Sequence, residues 1–157
     1  PLAQNRDCSA DAPAMIAFTS GTTGPPKGLV RSHGLMAATH DILSSVLGLR
    51  PGEVCLATLP IFTLINLGCG ATTLIPDVDL RHPAKIDPER LLQQLARWRV
   101  ESAVAAPRLI DRLVDASGPD DPRLRSLRTI HVGGAPVFPS LLESLRRVAP
   151  AVDAHVI

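Results

Sequence analysis

A layered α/β fold is what the sequence predicts, and three observations predict it. Short apolar runs of Val, Ile, Leu and Ala recur along the chain, and stretches with apolar residues at three- and four-residue spacing alternate with them. Clusters of Gly, Pro, Ser, Thr and Asp mark the boundaries between the two kinds of segment. Regular alternation of this kind gives strands covered by helices. The chain carries no internal repeat and no low-complexity tract.

Each element follows in turn. Ala14–Thr19 is a short, mostly apolar run and reads as a buried strand. Ser20–Gly28, dense in Gly, Pro, Ser and Thr, reads as a loop, with Gly28–Arg31 a second short strand after it. Ser32 is placed to cap a helix whose apolar residues Leu35, Met36, Ile42, Leu43, Val46 and Leu47 share a face. Pro51-Gly52 turns the chain into a strand over Val54–Thr58, and Thr72–Ile75 is another. Asp77–Pro88 reads as a polar connection. Asp87 then caps a helix with Pro88 in its first position and Leu91, Leu92, Leu95 and Trp98 on one face, Trp98 as core or interface. A strand over Ser102–Ala105, a helix over Arg108–Val114 and a surface loop over Ser117–Pro122 come next. Thr129–Val132 is a strand running into Gly133-Gly134; Leu141, Leu142, Leu145 and Val148 mark a last helix, and Ala154–Ile157 begins a further strand.

Composition narrows the class of function. The 157 residues are 45% hydrophobic and 20% charged, as in an ordinary soluble globular chain of one domain. Aromatic residues make up 3% and Tyr is missing, so the core must come from aliphatic side chains. A formal net charge of +1 supplies no field that would draw nucleic acid or an anionic membrane. Cys8, Cys55 and Cys69 are odd in number and far apart, which gives no disulfide framework and suits a reducing cytoplasm. The first seven residues lack the basic start and apolar run of a signal peptide. Val54 to Pro76 is uncharged and long enough to span a bilayer, but Pro60, Asn66, Gly68 and Gly70 interrupt it, so it reads as buried core divided into strand, helix and strand. His33, His40, His82, His131 and His155 are dispersed without ligand spacing and read as solvated or capping residues, so no protein metal site is expected. The Arg97 and Arg99 pair reads as a solvated helix face.

The segment that carries chemistry is Thr19-Ser20-Gly21-Thr22-Thr23-Gly24-Pro25-Pro26-Lys27-Gly28. Its glycines let backbone approach a bulky anion, and successive N–H groups in such turns form an anion-binding concavity. Ser20, Thr22 and Thr23 add hydroxyl donors, and Lys27 adds a point charge suited to phosphate oxygens. A plain surface turn would rarely gather so many donors after a buried strand. The Walker A pattern fails, because Lys27 lies between Pro26 and Gly28 where Gly and Ser or Thr are required.

At every defined position this segment resembles the phosphate-loop motif of the acyl-adenylate-forming superfamily, which includes acyl-CoA synthetases, peptide-synthetase adenylation domains and luciferases. The resemblance continues in family order. His33 is similar to a histidine common after the loop. Leu59-Pro60-Ile61-Phe62 looks like the Leu-Pro-x-Phe segment beside the acyl pocket, with Thr63 where the family often has His. Gly133-Gly134-Ala135-Pro136 looks like the turn that passes the adenine ring. The resemblance implies that residues 1–157 are part of the large N-terminal domain of an AMP-forming ligase. The chain stops about where the Tyr-Gly-x-Thr-Glu motif should begin, and the later domain with its catalytic lysine is expected to be missing.

By the same resemblance a carboxylate attacks the α-phosphorus of ATP to give acyl-AMP and pyrophosphate. Thr19, Ser20, Gly21, Thr22, Thr23, Gly24 and Lys27 would hold the phosphates, Lys27 as the catalytic charge, with Gly133, Gly134, Ala135 and Pro136 beside adenine. Phe62 and Thr63 would line the substrate pocket. Mg2+ would bridge phosphate oxygens, and CoA is one acceptor for the acyl group. Leu74-Ile75-Pro76-Asp77-Val78-Asp79, Arg81-His82-Pro83-Ala84 and Asp87-Pro88 are similar to a segment of the long-chain olefin-biosynthesis branch, whose members close β-hydroxy acids into β-lactones. The expected partners are therefore a small carboxylic acid and ATP. The alternative is a non-catalytic remnant or binding module without ligase activity, self-associating through exposed edges.

Overall fold

A β-hairpin opens the described chain. β1 (Pro13–Thr19) pairs antiparallel with β2 (Lys27–Ser32), with Ile16 opposite Val30 and Thr19 opposite Lys27. The computed structural model describes residues 8–19, 26–80, 82 and 85–157, so Ser20, Gly21, Thr22, Thr23 and Gly24 lie outside the described residues. α1 (His33–Leu47) starts where the sequence places it: the Ser32 hydroxyl accepts the Leu35 N–H at 3.3 Å, and the His33 N–H donates to the Ala12 carbonyl. The apolar residues of its shared face are only partly covered, with Leu35, Ile42 and Val46 exposed and Leu47 buried. The hairpin and this helix form one compact unit, Pro1–Val46.

The second unit, Leu47–Ile157, is built on a five-stranded parallel sheet. Its strands are β3 (Val54–Ala57), β4 (Thr72–Leu74), β5 (Ser102–Ala105), β6 (Thr129–Val132) and β7 (Asp153–Val156), in the spatial order β4-β3-β5-β6-β7. The helices are α2 (Pro60–Gly68), α3 (Pro88–Arg97), α4 (Pro107–Asp115) and α5 (Pro139–Val148). Alternate strand residues point to one face, so Leu56, Ala103, Ala105, Ile130 and Val132 join Leu91, Leu92, Leu109, Ile110, Leu141 and Leu145 in one core. Leu91 and Leu92 are fully buried, each contributing about 1.5–3 kcal/mol by leaving water. On the other face α2 buries Ile65 and Asn66, and the Asn66 amide donates to the Thr73 hydroxyl at 3.0 Å.

The uncharged stretch from Val54 to Pro76 divides into β3, α2 and β4, as its composition predicts. Among the described residues no helix is long and apolar enough to cross a membrane.

Several readings of the sequence need correction. β1 is not a buried strand: Ile16 and Phe18 are 57% and 72% exposed. The connection before α3 is not simply polar: Ile86 is buried, and Val78 and Leu80 pack against the core, because each lies among charged neighbours that hide a lone inward residue from any periodicity. Of the two places expected for Trp98, core or interface, the core does not hold: Trp98 caps the C-terminus of α3, 53% exposed, with the Arg97 guanidinium 5.6 Å from its ring centroid. His131 is not solvated. It sits on β6 at 3% exposure, its ring stacked on His155 of β7 with centroids 5.0 Å apart.

Candidate active site

The two ends of the parallel sheet are built differently, and the difference locates the site. At the amino end a polar network is closed on itself. Glu53, buried before β3, accepts from the Ser102 hydroxyl at 2.8 Å and pairs with Arg128 at 3.3 Å and Arg50 at 3.6 Å. Arg128 also meets Glu101 at 2.9 Å. Backbone bonds lace the same end, Glu101 N–H to the Val54 carbonyl and Arg128 N–H to the Glu101 carbonyl. Such a network ties β3, β5 and β6 together and fixes strand register at this end.

At the carboxyl end the polar groups are left open. α2, α4 and α5 follow β3, β5 and β6 there, and each begins with Pro after Leu59, Ala106 or Phe138, with no side-chain cap. Pro carries no N–H, and the Phe62, Leu109 and Leu141 N–H groups bond back to the Leu59, Ala106 and Phe138 carbonyls. One backbone N–H per helix, at Ile61, Arg108 and Ser140, is therefore left without a side-chain cap at this edge. By contrast α3 is capped by Asp87, whose carboxylate accepts the Glu89 N–H at 3.0 Å, and the 3-10 turn Pro122–Leu124 is capped by Asp121. Ligands of open α/β sheets bind outside the carboxyl ends of the strands, which is the edge left uncapped here.

Cavities line this edge. One of about 450 Å³ is walled by Ala57, Thr58, Leu59, Pro60, Thr63, Leu64, Ile75 and Leu80. Among the described residues its polar side chains are two hydroxyls, and that of Thr58 already donates to the Val104 carbonyl at 3.3 Å. A second, of about 360 Å³, lies against Ala135, Pro136, Phe138, Ser140, Pro107, Arg108, Asp111 and Leu141.

The predicted site residues fall as follows. Thr63 lines the apolar cavity; Phe62, half-buried on α2, is not among its walls. Gly133 donates its N–H to the Ala105 carbonyl, and a Cβ there would stand 2.4 Å from the Ile157 carbonyl oxygen, so only glycine allows β7 to close in. Gly134 has φ +83°, a left-handed conformation that costs other residues roughly 1–2 kcal/mol. The Gly133-Gly134 pair thus shapes the turn that presents Ala135 and Pro136 to the second cavity. Lys27 stands exposed at the start of β2, opposite Thr19. Residues 20–24 of the loop lie outside the described residues. Sequence reasoning missed Leu64, Ile75, Leu80 and Arg108.

An open parallel sheet with a closed amino edge and an uncapped, cavity-lined carboxyl edge defines an α/β ligand-binding domain. Residues 2–157 match the AMP-binding enzyme family, and the chain belongs to it. It is 36% identical over 148 residues to the olefin beta-lactone synthetase of Xanthomonas campestris pv. campestris, covering 94% of this chain and 26% of that protein. It is 33% identical to 4-coumarate--CoA ligase 3 of Arabidopsis thaliana, covering 96% of this chain and 28% of the relative. Among solved structures, the nonribosomal peptide synthetase FmoA3 in its AMPPNP-bound form superimposes with a TM-score of 0.77 at 25% identity, over 92% of this chain and 16% of that one. The chain therefore spans about a quarter of the length of the curated relatives it matches.

Proposed function

We propose that the protein containing this chain activates a carboxylic acid by adenylation. The acid's carboxylate attacks the α-phosphorus of ATP, the bond to the β-phosphate breaks, and acyl-AMP and pyrophosphate result. The observation that carries this reading is the segment from Thr19 to Gly28, with its hydroxyls, glycines and Lys27, in a chain of the AMP-binding enzyme family. The hairpin register supports it: Thr19 and Lys27 are cross-strand partners, so both ends of the donor-rich segment are held side by side. Thr19, Ser20, Thr22, Thr23 and Lys27 would hold the phosphates that leave as pyrophosphate, where positioning and charge stabilisation carry most of the rate. Gly133, Gly134, Ala135 and Pro136 would take the adenine, and Thr63 with Phe62 the acid.

Among the described residues no group of three His, Cys, Asp or Glu side chains could hold a metal ion; Mg2+ would enter with ATP and supply charge neutralisation at the phosphates, beside Lys27 and the hydroxyls of the loop. The acyl group then passes to CoA or, from a β-hydroxy acid, to the substrate's own hydroxyl with closure of a β-lactone. The names of the two relatives above support either fate. That Cys8, Cys55 and Cys69 form no disulfide suits a cytoplasmic setting, and exposed apolar strand residues such as Ile16 and Phe18 favour self-association.

Acid-dependent exchange of labelled pyrophosphate into ATP by the full-length protein tests the adenylation step. Exchange that needs both acid and ATP is expected; its absence with every fatty and β-hydroxy acid offered would end the proposal. Product analysis of a β-hydroxy acid with and without CoA separates the two fates.

A further inference from the structure

Cavities adjoin along the carboxyl edge of the sheet and share walls. The apolar cavity and a smaller one of about 120 Å³ have Thr58, Leu59 and Leu80 in common. The smaller one in turn shares Arg108 with the cavity against Ala135 and Pro136. The result is a trough, aliphatic at one end, whose other end is walled by Ala135 and Pro136, just after the Gly133-Gly134 turn, and by Ser140 and the Asp111 carboxylate. Among the described residues lining its apolar and middle parts, Arg108 is the one charged group.

Arg108 has donors to spare. A guanidinium carries five N–H groups in a planar fork that matches a carboxylate. Its ionic partner Asp111, one helical turn on, is 3.9 Å away, beyond hydrogen-bond length, and the Arg108 side chain is 61% exposed. Nothing in the fold requires an arginine at this place: α4 buries Pro107, Leu109, Ile110, Leu113 and Val114 and turns Arg108 outward. What the position does supply is a cation at the mouth of an apolar trough.

We propose that Arg108 binds the carboxylate of an aliphatic acid whose chain lies in the trough between Leu59, Leu64, Ile75 and Leu80. The pairing sets specificity from both ends. An uncharged chain gains by leaving water along aliphatic walls, whereas a tail bearing a charge or an unpaired hydroxyl would be desolvated there without a partner. The guanidinium then holds the carboxylate beside the turn formed by Gly133, Gly134, Ala135 and Pro136, where the adenylation reading puts the nucleotide. The proposal rests on that reading for its purpose, and on the trough and the arginine for its geometry.

Calorimetric titration of decanoate and of its methyl ester into the full-length protein tests it. The native protein is expected to prefer the acid. Arg108→Ala should weaken decanoate binding by about tenfold, a loss held to that size by solvent screening of an exposed pair, and should leave the ester unchanged. Arg108→Lys should recover part of the loss. In pyrophosphate exchange, Arg108→Ala should raise KM for the acid while KM for ATP and kcat change little. Equal decanoate affinity in the native and Arg108→Ala proteins would overturn the proposal, as would a parallel loss of ester binding, which would make Arg108 a prop of the trough. Arg108-dependent decanoate binding without exchange on any acid would remove the adenylation reading and leave this site. Exchange on another acid with no decanoate binding would do the reverse.

Discussion

Lys27 and His131 show how much a single position can carry. Lys27 is exposed at the mouth of β2 and sits opposite Thr19, where the donor-rich segment returns to the sheet. A charge-assisted contact to phosphate contributes about 1.5–3 kcal/mol, so Lys27→Ala in the full-length protein should slow pyrophosphate exchange by roughly 10- to 150-fold. Unchanged exchange would place the leaving phosphates elsewhere. His131 concerns stability instead. Burial first, and then the stacked His155, hold its pKa below the ordinary histidine value, against the raising pull of the Leu47 backbone and the Asp153 carboxylate. The folded chain therefore resists protonation at this ring more than the unfolded chain does. The stability this contributes is fully present above the unfolded pKa of about 6.5, and it falls away as pH drops through that value toward the lowered one. Thermal melts of the native chain should lose midpoint between neutral pH and pH ~5, and His131→Leu should flatten that slope. A slope identical in both proteins would assign the acid sensitivity to other groups.

Among the elements, α3 is the one whose start the sequence states most openly, and it offers the cleanest test of local design. Asp87 accepts the Glu89 N–H at 3.0 Å and Pro88 occupies the first helical position, where its missing donor costs nothing. Asp87→Ala should destabilise the chain by about 1 kcal/mol in chemical denaturation, whereas Asp87→Asn should cost less than half of that. Equal losses would mean that the charge, not the cap, supports the helix. The same openness explains why β5 and β6 were placed to the residue: Ser102–Ala105 and Thr129–Val132 are buried four-residue runs closed by Pro107 and by Gly133-Gly134. The site was legible only in part. The Gly133-Gly134 turn and Thr63 belong to contiguous motifs, and contiguous motifs survive in one dimension, while residues 20–25 of the loop lie outside the described residues. The trough does not, because Leu64, Ile75, Leu80 and Arg108 come from four separate segments and only the fold of the sheet assembles them. His131 was misread for a related reason. Its apolar neighbours Ile130 and Val132 face the other side of the sheet, and the ring it stacks on belongs to a different strand. Trp98 lies outside the core because its helical spacing with Leu91 and Leu95 continues on paper past the point where α3 ends at Arg97.

For the whole molecule, stability is unevenly spread. Every residue of the buried core cluster, from Leu56 to Val152, lies in the unit Leu47–Ile157. Within it β5 is flanked by β3 and β6 and carries four buried residues, so its amides are both paired and shielded. The unit Pro1–Val46 consists of a two-stranded hairpin and a helix whose apolar residues Ile16, Phe18, Leu29, Val30, Leu35, Ile42 and Val46 are more than 48% exposed. An isolated hairpin is marginal in water, and sparse burial lets local opening occur at low free energy. Native-state hydrogen exchange on the chain should therefore find its slowest amides in β5 and β6, opening only with global unfolding. Amides of β1 and β2 should exchange through local opening at least roughly 100-fold faster, a gap of about 2.7 kcal/mol. The order has a functional reason under the adenylation reading. A segment that must admit ATP and release pyrophosphate is better carried on the weakly held hairpin, while the trough that measures the acid gains from standing on the rigid sheet. Equal protection in the hairpin and in β5 would contradict that division of labour, because β1 and β2 would then be as rigid as the core.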